Sequence, residues 1–160
     1  MINISNIHLL QKVNLSSWLL GSIIAGYSMY LVDVALEGWF GLFGTYKLYK
    51  QWLIDAGLFT GIEDIALFLG HEANSIILSL FFINPYVYSK LPSNLFLKGL
   101  TFAVLWHIAV MIVAFVFGIT GSKWLYSLFS MPIKEHISFF LLHIVWALTL
   151  SYTYIPKEEK

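Results

Sequence analysis

Apolar residues run through this chain in four blocks, each marked along one side by polar or small residues at helical spacing. The first, residues 15–43, carries the stripe Ser22, Gly26, Met29, Tyr30, Asp33, Glu37, Gly41 and, just beyond, Gly44. Apart from the adjacent Met29 and Tyr30, the intervals are three and four, the repeat of one helix face. In the second, residues 62–88, Asp64, His71, Asn74, Ser75 and Ser79 line one side with Glu72 beside them. The third, residues 95–119, shows Gly99, Ala103, His107, Val110, Ala114 and Gly118, and the fourth, residues 132–154, shows His136, Phe140, His143, Ala147 and Ser151. Each block reaches the roughly 20 residues a helix needs to cross a hydrocarbon layer of about 30 Å. The pattern predicts an all-α fold: a four-transmembrane-helix bundle forming a single domain over residues 1–160.

The connections add one element. In residues 46–60, Leu48, Tyr49, Trp52, Leu53 and Ala56 share one side, while Lys47, Lys50, Gln51 and Asp55 share the other. That predicts a short interfacial amphipathic helix between helices 1 and 2, ended by Gly57 and Gly61. Asn14, Ser16 and Ser17 offer caps for the first span, and Trp18 suits the headgroup level. Asn84-Pro85 closes the second span, Ser93 or Asn94 caps the third, and Pro132 opens the fourth, where a first turn tolerates proline. Residues 120–131 contain the apolar run WLYSLF and again suit the interface. Residues 1–14 hold a single lysine and no A-x-A site follows, so the first block is expected to be retained as a helix and not cleaved as a signal peptide.

Composition sharpens the class. Of 160 residues, 59% are hydrophobic and 11% charged, with mean hydropathy +0.77. A soluble domain carries about a quarter charged residues, so this chain lacks a polar coat. All nine basic residues are lysine and nine acids balance them, which argues against nucleic acid as a partner. The absence of cysteine excludes disulfides, iron–sulfur clusters and thiolate metal sites. Lys12, Lys90, Lys98, Lys157 and Lys160 fall on the side of the termini and Lys47, Lys50, Lys123 and Lys134 on the other. The positive-inside rule therefore favours cytoplasmic termini by one charge, and the expected location is a bacterial or archaeal cell membrane.

The candidate chemistry lies within the spans. At about 1.5 Å per residue, Asp33, His71, His107 and His143 fall at about 14–18 Å from the same side, one from each helix. Glu37, Asp64, Glu72 and His136 lie nearer that surface and extend the polar layer toward water. Ionisable groups inside membrane helices face an interior, a cavity or a site. Three uses compete. The groups can fix helix packing by hydrogen bonds. His71, His107 and His143 can ligate a haem b or another metal, although no arginine is present to meet haem propionates. Or the acids and histidines can form a proton or ion relay, opposed by the apolar Leu19, Ile23, Leu78, Phe102 and Leu148 on the terminal side.

The segments GSIIAGYSMYLVDV, GHEANSIILSLFF, KLPSNLFLKGLTFAVLWHIAVMIV and FLLHIVWALTLSYTY, spread over residues 21–154, resemble a family of small four-helix membrane proteins of unknown function from bacteria and archaea. The shared features are an Ala-Gly/Met first helix, the K-G-L-x-F-x-x-x-W run from Lys98 to Trp106, and a histidine in helices two and four. Asp33, Glu37 and the amphipathic insert depart from it. The resemblance implies the four-helix fold and no activity. The expected function is a non-catalytic accessory subunit of a larger membrane complex, in contact with lipid and with other subunits or copies of itself. A respiratory complex is the first expectation for the host, on the histidine-rich layer alone. A haem- or quinone-binding electron-transfer protein and an oligomeric ion, metal or proton transporter are the alternatives. No Ser/His/Asp or Cys/His set with a shared position suggests an enzyme.

Overall fold

A computed structural model describes residues 13–40 and 45–157, with the side chain of Phe40 left aside. Seven helices and no strands occur among the described residues: α1 (Leu15–Phe40), α2 (Thr45–Asp55), α3 (Glu63–Ile83), α4 (Pro85–Lys90), α5 (Leu95–Ile119), α6 (Lys123–Phe129) and α7 (Ile133–Thr153). Four of them, α1, α3, α5 and α7, are long and apolar enough to cross a membrane. Gly41 and Gly44 of the first stripe lie outside the described residues.

Local chemistry sets the boundaries. The Asn14 and Asn94 side chains accept the amides of Ser17 and Leu97 at the starts of α1 and α5, satisfying donors that a helix start leaves free. The second span ends earlier than the sequence pattern predicts. Pro85 cannot donate to the α3 ladder, so α3 stops at Ile83 and α4 starts anew, with the Asn84 side chain accepting from Tyr86 and Val87. The run WLYSLF forms α6, capped by Ser122. At the end of α2, Gly57 adopts φ +64°, a left-handed conformation that suits glycine at a helix exit.

The most enclosed span is α7, packed between α1 and α5; α3 lies against the other flank of α1, and α6 folds back on α5. Small residues permit these approaches. A Cβ on Gly99 would stand 2.9 Å from the Leu148 Cα, and one on Gly118 would stand 2.9 Å from the Tyr126 Cα. At the terminal end, Phe82 of α3 meets Phe102 of α5, Tyr88 and Tyr154 edge-on, and Trp106 and Trp146 extend the cluster. At the opposite end the Trp52 ring of α2 stacks on Trp124 of α6, centroids 5.9 Å apart. Below it Leu128, Ala114 and Phe139 form a second small core. Outside these contacts the long helices present apolar side chains outward; Leu69 is 61% exposed and Ile112 58%.

Candidate functional site

The polar groups of the long helices gather at two separate interfaces. The first is the seam between α1 and α3. Ser22, Gly26 and Asp33 share one face of α1; Ser75 and Ser79 are buried on the facing side of α3, with His71 and Glu72 half-buried above them. At the terminal end the Trp18 indole N–H donates to the Ser79 hydroxyl at 2.8 Å, and the Ser79 and Ser22 hydroxyls are 2.6 Å apart. Ser75 donates to the Ser22 carbonyl at 2.7 Å and accepts from the Trp146 indole at 2.8 Å, which ties α7 into the seam.

One turn further along, His71 Nε2 lies 3.0 Å from the Gly26 carbonyl. A carbonyl only accepts, so Nε2 carries the proton and Nδ1 is left as the acceptor. Beside it the two carboxylate oxygens of Glu72 are buried and have no hydrogen-bond partner among the described residues. Glycine at position 26 makes room for that carboxylate: a Cβ there would fall 2.7 Å from Oε2.

Asp33 has a different task. Its carboxylate accepts the amides of Thr45 at 3.0 Å and Tyr46 at 2.8 Å, together with the Thr45 hydroxyl at 3.3 Å. It is thus an N-cap supplied from another helix, with its charge set against the positive end of the α2 dipole. Glu37 pairs with Lys47 at 3.1 Å, Asp64 pairs with Lys50 at 2.7 Å, and the Tyr46 hydroxyl donates to the Asp64 carbonyl at 2.9 Å. These contacts lash α2 across the ends of α1 and α3.

The second interface joins α5 and α7. His107 Nδ1 and His143 Nδ1 are 3.0 Å apart, so one ring donates and the other accepts. Phe139 and Phe140 pack around the pair. Val104, His107, Ile108, His136, Ile137 and Phe140 line a groove of about 280 Å³ on the outer surface. His136 Nε2 itself bonds the Phe129 carbonyl at 3.1 Å.

The layer inferred from depth is therefore divided. Asp33 and His71 belong to the α1 side and His107 and His143 to the α5–α7 contact. No set of three or more metal-ligating side chains forms among the described residues. As placed, the rings of His107 and His143 touch each other and His71 is held on the Gly26 carbonyl, so the three histidines do not face one common space. Asn74, expected on the polar side of its helix, is exposed, and Phe140 and His136 sit at a groove edge while Phe139, Leu142 and Trp146 take the core. Of the serine–tryptophan network on the terminal side, Ser22, Ser75 and Ser79 stand in the polar stripes of the sequence, whereas Trp18 reads there as a headgroup anchor and Trp146 is not marked. The four-residue spacing of Ser75 and Ser79 is the signal that points to the network. Comparison with protein-family models, with curated proteins and with solved structures returned no match. The likeness to small four-helix membrane proteins rests on its sequence segments alone.

Proposed function

We propose that this chain is a multi-pass membrane protein that acts as a non-catalytic subunit of a larger membrane assembly, with α2 and α6 lying at one membrane surface. One observation carries the subunit reading: Asn74 stands at the middle of α3 and is exposed, flanked on the same side by Gly70, Ala73 and Ile77. In hydrocarbon a primary amide has no solvent partner, and polar residues in spans turn toward protein. A methyl group placed on Gly70 would meet nothing within 4 Å, so a neighbouring helix has room to approach closely there. An amide bond across such a contact is worth about 0.6–2 kcal/mol.

The chain contains no cysteine, so single cysteines report positions without background. Ala73→Cys and Ile77→Cys flank Asn74 and leave it intact. In native membranes both are expected to cross-link to another polypeptide or to a second copy, and to lose the cross-link when Asn74→Leu is added. Free reaction of both with a lipid-soluble maleimide, together with a one-chain mass in mild detergent, contradicts the reading.

A further inference from the structure

Beyond a role in assembly, we infer that Glu72 is a proton-binding site in the α1–α3 seam. Both its carboxylate oxygens are buried without a donor among the described residues. Leaving a carboxylate charged in such a place is costly, and a buried polar group with no partner calls for a specific explanation.

The charged and titratable groups on the elements around it are already committed. His71 is held on the Gly26 carbonyl and Asp33 on the amides of Thr45 and Tyr46. Glu37 is paired with Lys47, Asp64 with Lys50, and His143 with His107. None of these compensates Glu72. Uptake of a proton removes the charge and needs no further ligand.

The same inventory selects the proton over a metal cation. Hard cations take six or more oxygen ligands. Here the Gly26 carbonyl is used by His71, and the Ser75 hydroxyl is used by the Ser22 carbonyl and the Trp146 indole. No three-residue ligand set exists among the described residues. A Cβ on Gly26 would stand 2.7 Å from Glu72 Oε2 and 2.9 Å from the Ser75 Cβ, so the carboxyl group lies directly against the glycine. The transfer is simple in its balance: a hydronium ion gives its proton to the Glu72 carboxylate and leaves as water, and release reverses the step.

The test uses the full chain in liposomes and a hydrophobic carbodiimide, which reacts with protonated carboxyl groups in apolar surroundings. The carboxyl oxygen adds to the carbodiimide carbon and the acid proton moves to a nitrogen, so nothing is lost and the adduct is read by mass. At mildly alkaline pH, Glu72 is expected to react at least about tenfold faster than any other carboxyl, the equivalent of one unit in protonation. Glu72→Gln removes the adduct, whereas Glu37→Gln and Asp64→Asn leave it. An infrared carboxylic-acid carbonyl band, present in the parent and absent in a folded Glu72→Gln protein, gives a second readout. Labelling confined to other carboxyls, or no such band, overturns the assignment. Protection of Glu72 by sodium ions also overturns it, in favour of a metal-cation site.

Discussion

His107 and His143 meet Nδ1 to Nδ1 at 3.0 Å, a direct polar link between α5 and α7. Neither ring can be replaced alone without leaving the other ring's nitrogen in an aromatic enclosure built by Phe139 and Phe140. His107→Leu and His143→Leu are each expected to destabilise the protein by about 1–3 kcal/mol, the cost of an orphaned buried group. The double replacement should cost less than the sum, because it removes both partners. Thermal unfolding in detergent across the four proteins of the cycle measures this. Strict additivity would show that the contact carries no coupling.

Asp33 holds the start of α2 from a distance of twelve residues in sequence. Asp33→Ala leaves the amides of Thr45 and Tyr46 without their acceptor. Loss of an N-cap costs about 0.5–2 kcal/mol, concentrated here in one helix. Hydrogen exchange is expected to speed up in a peptide covering α2 while α5 and α7 stay protected. Uniform exchange in parent and variant would contradict the capping role.

Gly99 and Gly70 separate close packing from open surface. Gly99→Ala drives a methyl to 2.9 Å from the Leu148 backbone and forces α5 from α7, whereas nothing lies within 4 Å of the same position at Gly70. Overpacking costs about 1–3 kcal/mol, so Gly99→Ala should lower the melting temperature clearly. Gly70→Ala should be neutral or stabilising in the isolated chain, since alanine favours the helix by about 1 kcal/mol. In the native membrane the same change should weaken the cross-link at Ile77→Cys.

Alkaline pH should release α2 before the long helices. Burial pushes the hydroxyls of Tyr46 and Tyr49 up from the ordinary 10 to about 12, with smaller contributions from Tyr30 and Asp33 respectively. The folded form therefore holds these protons more tightly than the unfolded form. Their contribution is complete below about pH 10 and is lost as pH rises toward about 12. Ultraviolet titration of tyrosinate should show a set of late-ionising groups that is smaller by two in Tyr46→Phe/Tyr49→Phe. Ionisation of all tyrosines near 10 would contradict this.

How far the sequence foretells this arrangement depends on what kind of information each feature carries. Residues 95–119 are one helix in pattern and in structure because Asn94 caps the start and Gly121 follows the stop. Ser22, Gly26 and Asp33 are recognisable as one face because periodicity reports direction around an axis. Periodicity does not say which helix that face meets. Depth arithmetic places Asp33, His71, His107 and His143 at similar heights, yet height leaves the order of helices around the bundle free, and α7 stands between α1 and α5. Asp33 hides its true role because its partners are backbone amides, which leave no trace in side-chain pattern. Glu72 groups with a polar layer in the sequence, and its lack of a partner is visible only in three dimensions.

The proposed subunit role and proton site both require the four long helices to cross the bilayer in alternation, and single cysteines in this cysteine-free chain test that most directly. Membrane-impermeant maleimide applied from one side should label Leu58→Cys and Gly121→Cys together, and from the other side Ser93→Cys and Ile155→Cys together. Leu69→Cys and Ile112→Cys, outward-facing within α3 and α5, should resist it from both sides until detergent is added. Labelling of Leu69→Cys or Ile112→Cys in intact membranes, or of Leu58→Cys and Ser93→Cys from the same side, would contradict the four-span arrangement.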